Sequence, residues 1–200
     1  MLDEPKQVIY KLLSFLLGYP EGQDFWGSMA DVEICVDDLP DSAEKSWLKK
    51  TLESWSICES ADIRREYIQN FDFRESTCLY LTAHEYGDSR ERGVALIALH
   101  QMFRMAGYEA QADELPDYLP WLFEFLAVKP PEMLVGELEG RLARVCHRIL
   151  DNLSETSLYN PLICAALATL PQVNYEGETT AFPKRQKADL HQLPFPVDFQ

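Results

Sequence analysis

Apolar residues return every three or four positions along most of this chain, and that period leaves little room for anything but helix. Val8, Ile9, Leu12, Leu13 and Leu16 form one wide face, predicting a helix over residues 5–17 that Gly18 and Pro20 end. Ile63, Tyr67 and Phe71 stand four apart and share a face. Leu134, Leu138, Leu142, Val145 and Ile149 make the inward stripe expected of a helix over residues 131–153. Val94, Leu96, Ile97, Leu99, Met102, Phe103, Met105 and Ala106 cover most of a stretch from 89 to 106, which predicts that this helix is central. Residues 78–86 are apolar enough for a strand, but no second strand candidate exists to pair with them, so helix is expected there too.

The breaks fall where helices start and stop. Asp41-Ser-Ala-Glu44 and Asp88-Ser-Arg-Glu91 read as capping boxes, and Asn160-Pro161 as an N-cap followed by proline at the first helical position. A short helix is expected over 24–30, residues 32–39 are ambiguous, and a helix over 117–128 ends before Pro130-Pro131. The fold class is therefore all-α, a single-domain helical bundle of about eight or nine helices over residues 1–170. Residues 171–200 hold four of the twelve prolines beside Gly177 and the basic cluster Lys184-Arg185-Gln186-Lys187, and are expected to be an extended or disordered tail.

The net charge of −15 argues against a nucleic-acid backbone or an anionic membrane surface as partner, since both would repel it. The five cysteines are odd in number, widely spaced and without a CxxC, so neither a disulfide framework nor a zinc site is expected. The first twenty residues place acids where a signal peptide carries a basic region, and their longest apolar run is too short to span a bilayer. A cytoplasmic protein is expected.

The search for catalytic chemistry finds little. No two of the nine glycines lie within two residues of each other, so no phosphate-cradling loop is present. His84-Glu85 begins a zincin motif, but Asp88 occupies the place of the second histidine. Cys146 and His147 are neighbours on a helix, where their side chains diverge by about 100°. An enzyme or nucleotide-switched protein would have to centre on His84, Asp88 and Arg90. The plain reading of these residues is helix capping with solvated charge, His84 being a histidine at a helix end; the functional one is a polar rim of His84, Asp88, Arg90 and Arg92, with Arg90 or Arg92 pairing to Asp113, Glu114 or Asp117.

One stretch combines unusual features. Glu114 to Leu126 carries Pro116 and Pro120 and then runs into Trp121, Leu122, Phe123, Phe125 and Leu126. From Met105 to Val128 there are five carboxylates and no Lys or Arg. An acidic break beside aromatics is suited to docking an apolar segment that carries positive charge, the alternative being a plain loop with core behind it.

Four pieces between Tyr67 and Ala127 resemble the NarJ family, within the TorD/DmsD/NarJ group of redox-enzyme maturation chaperones. They are Tyr67-Ile-Gln-Asn-Phe-Asp-Phe73, Leu79-Tyr-Leu-Thr-Ala-His84, Tyr86-Gly-Asp-Ser-Arg-Glu-Arg-Gly93 and Glu114-Leu-Pro-Asp-Tyr-Leu-Pro120. The N-terminal LLSFLLGYP is similar to the family's opening helix. The resemblance implies a cytoplasmic chaperone with no catalysis and no resident cofactor. Such a chaperone binds the apo catalytic (alpha) subunit of respiratory nitrate reductase, including its N-terminal helical segment. It holds that subunit for insertion of the molybdenum bis(guanine dinucleotide) cofactor before membrane docking. A chaperone for another molybdoenzyme of the dimethyl sulfoxide reductase superfamily is the alternative. Phe71, Tyr118, Leu119, Trp121 and Leu122 are then expected to line an apolar peptide trough, with Asp113, Glu114 and Asp117 as its acidic edge.

Overall fold

The computed structural model describes residues 5–108 and 114–175. Among these the chain is all-α, as expected: ten α-helices, two of them only six residues long, and one π-helical turn. The expectation of an extended or disordered tail falls, from residue 176 onward, outside the described residues. So does Asp113.

Helix α1 spans Pro5–Leu17 and buries Ile9, Tyr10, Leu12, Leu13, Leu16 and Leu17. Its main partner is α8, Leu119–Val128. Helix α10, Asn160–Thr169, packs on α4, Ala43–Ser56, and on α9, Gly136–Asn152, and also touches α1. Each fully buried leucine in this core contributes about 1.5–3 kcal/mol. The short α2, Gly22–Gly27, and α3, Met29–Asp38, lead from α1 toward α4, so the ambiguous residues 32–39 are helical.

Helix α8 buries the largest share of its residues of any described helix. Leu119, Leu122, Phe123 and Phe125 are wholly buried, and Leu126 and Ala127 nearly so. The expectation that the helix over 89–106 is central is overturned. That helix, α7 (Arg90–Met105), buries only Leu99 and Phe103 and leaves Val94, Ile97 and Met105 more than 60% exposed. The reason is local: Arg90, His100, Gln101 and Arg104 make one side of α7 polar, and Arg92 interrupts the Leu99 and Phe103 face itself, whereas α8 carries a single charged residue, Glu124.

Several boundaries differ from expectation. Ser42, not Asp41, caps α4, its hydroxyl accepting from the Lys45 amide at 3.2 Å. Ser89 precedes α7 without a side-chain capping bond. Asn160 lies inside α10, and Tyr159 takes the N-cap position. Helix α9 begins at Gly136 rather than 131, so Leu134 lies outside it and is 96% exposed. Gly87 and Gly107 end α6 (Leu81–Tyr86) and α7 at φ of +57° and +70°, backbone that a side chain disfavours.

Candidate functional site

Helix α5, Ser60–Tyr67, does not stop at its last residue but widens into a π-helical turn, Ile68–Asp72. Ile63, Tyr67 and Phe71 keep their common inward face and are all buried. The turn is braced by Thr77, whose hydroxyl donates to the Asn70 carbonyl, and by the Asn70 amide group donating to Ser157 Oγ at 3.1 Å. π-Helical turns often mark functional surfaces.

Opposite this turn the chain crosses itself. Leu81 N donates to the Asp117 carbonyl at 2.9 Å and Leu119 N to the Leu79 carbonyl at 2.8 Å, forming an antiparallel bridge between Tyr80 and Tyr118. Pro116 and Pro120 flank the crossing, and neither has an amide that the bridge would need. Because residues 79–81 serve this bridge, α6 starts at Leu81 and not at 78. Helix α8 likewise starts at Leu119 and not at 117.

Asp117 lies beneath the bridge and is wholly buried. Its Oδ2 accepts from the Thr82 amide at 3.1 Å and from the Thr82 hydroxyl, and Arg92 Nη2 approaches it at 3.7 Å. Arg92 Nε also donates to Thr82 Oγ1 at 3.2 Å. The expected pairing of Arg92 with this acidic stretch is therefore present, but it is internal. Asp117 is no part of an open acidic edge. A buried carboxylate needs such partners.

The same correction applies to His84. It is almost fully buried, its Nε2 donates to the Cys78 carbonyl at 2.7 Å, and burial depresses its pKa to about 4, so it is neutral at pH 7. It is not a rim residue. Its carbonyl accepts from Arg148, and the adjacent Glu85 holds Arg141 in a bidentate pair at 2.8 and 2.6 Å, which fastens α6 to α9. Asp88 and Arg90 are exposed at the start of α7.

A hollow of about 240 Å³ opens above the bridge, lined by Tyr19, Tyr67, Ile68, Phe71, Asp72, Leu79, Tyr80, Glu114 and Tyr118. Its floor is aromatic. The Tyr67 and Tyr118 hydroxyls share a hydrogen bond of 2.6 Å, and the Tyr80 and Tyr118 rings lie 5.4 Å apart. Tyr67 meets Tyr19 and Phe71 edge-on at 5.3 and 5.1 Å. Burial pushes the Tyr118 phenol up to about 12, so this floor is uncharged at neutral pH. The charges are carboxylates. Tyr80 donates to Glu114 at 3.1 Å, and partial burial raises the Asp72 carboxyl.

Of the residues expected to line a trough, the structure brings Phe71, Glu114 and Tyr118 to this hollow. Leu119 and Leu122 are wholly buried in the core, because the apolar face of α8 turns inward against α1, and they do not line it. Trp121 is half-buried away from it. Sequence reasoning did not assign Tyr19, Tyr67, Ile68, Asp72, Leu79 or Tyr80 to the hollow. The available signal for Tyr19 was its place between Gly18 and Pro20, past the end of a helix and so outside that helix's buried stripe.

The family model described as nitrate reductase delta subunit matches residues 37–153. The chain is 27% identical over 168 residues to a Bacillus subtilis (strain 168) protein, the probable nitrate reductase molybdenum cofactor assembly chaperone NarJ, covering 84% of this chain and 91% of that one. It is 33% identical over 131 residues to the Escherichia coli K12 nitrate reductase molybdenum cofactor assembly chaperone NarJ, covering 64% and 55%. Similarity at 29% over 147 residues extends to the nitrate reductase-like protein NarX of Mycobacterium tuberculosis H37Rv, covering 72% of this chain and 22% of that protein.

Proposed function

The chain belongs to the nitrate reductase delta subunit family, the family of the NarJ chaperones, and from that premise we propose that it is a chaperone for the assembly of a respiratory nitrate reductase. It binds the apo catalytic subunit in the cytoplasm and keeps it open to the molybdenum bis(guanine dinucleotide) cofactor before the subunit docks at the membrane. The cofactor is cargo of the client, and the chaperone carries out no chemical step. Among the described residues, no group of side chains could hold a metal ion, and no helix is long and apolar enough to cross a membrane.

One observation carries the placement of the client site. The Tyr67–Phe73 piece and the Glu114–Pro120 piece, far apart in sequence, are the two walls of the aromatic hollow. Helix-in-groove recognition needs apolar area for affinity and fixed charges for register. Tyr19 in the hollow supplies exposed aromatic surface at 40% exposure, Phe73 next to Asp72 in the chain adds more at 80%, and Glu114 and Asp72 supply negative charge. The client's N-terminal helical segment, apolar with basic residues, fits those demands.

Calorimetry with the client's N-terminal peptide tests this. Glu114→Lys with Phe73→Ser changes two solvent-accessible residues and should weaken binding by about 1–3 kcal/mol. Asp117 is the wrong residue to change, since its loss would disturb the fold. Equal affinity in the folded double variant moves the site elsewhere. A client outside nitrate reductase, the second reading, would show itself by which apo-subunit co-purifies from cells unable to make the cofactor.

A further inference from the structure

A second hollow, of about 400 Å³, adjoins the first, and Tyr19 and Ile68 line both. Its remaining walls are Ala61, Arg64, Arg65, Gln69 and Phe73. The two together form a trough along α5 and the π-helical turn, from Ala61 to Asp72. That is roughly 15 Å, or about ten residues of a helical ligand.

The trough is electrically polar. At one end stand Asp72 and Glu114, with no basic residue among the lining. At the other stand Arg64 and Arg65. Arg65 is paired with Asp62 at 2.5 Å, whereas no described carboxylate pairs with Arg64. Tyr19 and Ile68, shared by both hollows, lie between the ends, and Phe73 adds apolar surface to the hollow that holds the arginines. A bound helix carries partial positive charge at its N-terminus and negative charge at its C-terminus. Basic residues in its first turn and an acidic residue in its last turn would add to that dipole.

Building on the proposed client site, we infer that the trough binds its helical ligand in one direction. The N-terminal, basic end lies over Asp72 and Glu114, and the C-terminal end over Arg64. The ligand thus runs antiparallel to α5, its apolar face on Tyr19, Ile68 and Phe73. The partner class is a cationic amphipathic helix with an acidic last turn.

Two synthetic peptides of identical composition test the direction. One carries two lysines in its first turn and a glutamate in its last, and the other reverses that order around the same apolar stripe. The full-length protein should bind the first about tenfold more tightly. The variant Asp72→Lys, Glu114→Lys, Arg64→Glu should reverse the preference, with its folding checked by circular dichroism. Binding of both peptides with equal affinity, or the opposite preference, overturns the inference and leaves the client site standing. Binding of neither overturns both. Occupation of the trough by a second copy of the chain would appear as a mass that rises with protein concentration and would also overturn it.

Discussion

Asp117 accepts a hydrogen bond from the Thr82 amide at 3.1 Å although thirty-five positions of chain separate them. With the Thr82 hydroxyl and Arg92 at 3.7 Å, it joins the start of α6, the start of α7 and the loop before α8 into one buried polar knot. Removing one partner of such a knot leaves the others desolvated and unmatched. Asp117→Asn keeps the shape but removes the charge facing Arg92, and should cost about 1–3 kcal/mol in urea denaturation. Arg92→Leu should cost a similar amount. The double variant should lose less than the sum of the two single losses, and strict additivity would show that the pair is not coupled.

His84 makes stability fall on the acid side. Its folded pKa, about 4, lies below the ordinary 6.5 because burial penalises the charged ring. Between those values the unfolded chain binds a proton that the folded one does not. The contribution is therefore complete above pH 6.5, shrinks as pH falls toward 4, and is gone below it. The shift corresponds to about 3 kcal/mol at most. His84→Gln retains a donor for the Cys78 carbonyl and cannot titrate. Denaturation at a series of pH values should show a shallower acid limb in the variant, and parallel limbs would refute the assignment.

The contrast between α7 and α8 is open to a direct test of which helix is central. Phe125 is wholly buried and packs against Phe103, ring centroids 4.7 Å apart and planes tilted by 45°. Phe125→Ala should cost about 3–5 kcal/mol. Ile97, at 61% exposure, should tolerate Ser with a change of about 0.5 kcal/mol or less. Thermal unfolding of the two variants measures both, and a large loss from Ile97→Ser would mean that α7 is covered by something in solution.

Much of this architecture was legible in the period of the apolar residues. Helix α1 falls on residues 5–17 as predicted, and the stripe Leu138, Leu142, Val145, Ile149 is the inward face of α9. What the period could not give is which amphipathic helix lies deepest. That depends on how completely charge is excluded from a helix's surface, and the interruptions on α7 outweighed its apolar count. The hollow was half legible. Phe71, Glu114 and Tyr118 could be placed beside each other from two motifs, and Arg92 is a partner that the sequence offers Asp117, but the burial of that pair and the part of Thr82 in it have no sequence signal. The chain crossing at Tyr80 and Tyr118 brings Thr82 onto Asp117 and turns the pair with Arg92 inward.

That crossing also sets the role of the paired phenols on the floor of the hollow. The Tyr67 and Tyr118 hydroxyls bond each other at 2.6 Å, and Tyr67 is nearly fully buried. Tyr118→Phe keeps the ring beside Tyr80 but takes away the hydrogen-bonding partner of the Tyr67 hydroxyl. It should cost about 1–3 kcal/mol, the penalty for a buried polar group left unmatched. Adding Tyr67→Phe removes the orphan as well, so the double variant should recover much of that loss in urea denaturation. Peptide affinity should meanwhile stay within about twofold, since the ligand meets ring faces and carboxylates rather than this internal bond. A drop of tenfold or more in the double variant, with stability recovered, would instead make the hydroxyl pair part of the binding surface.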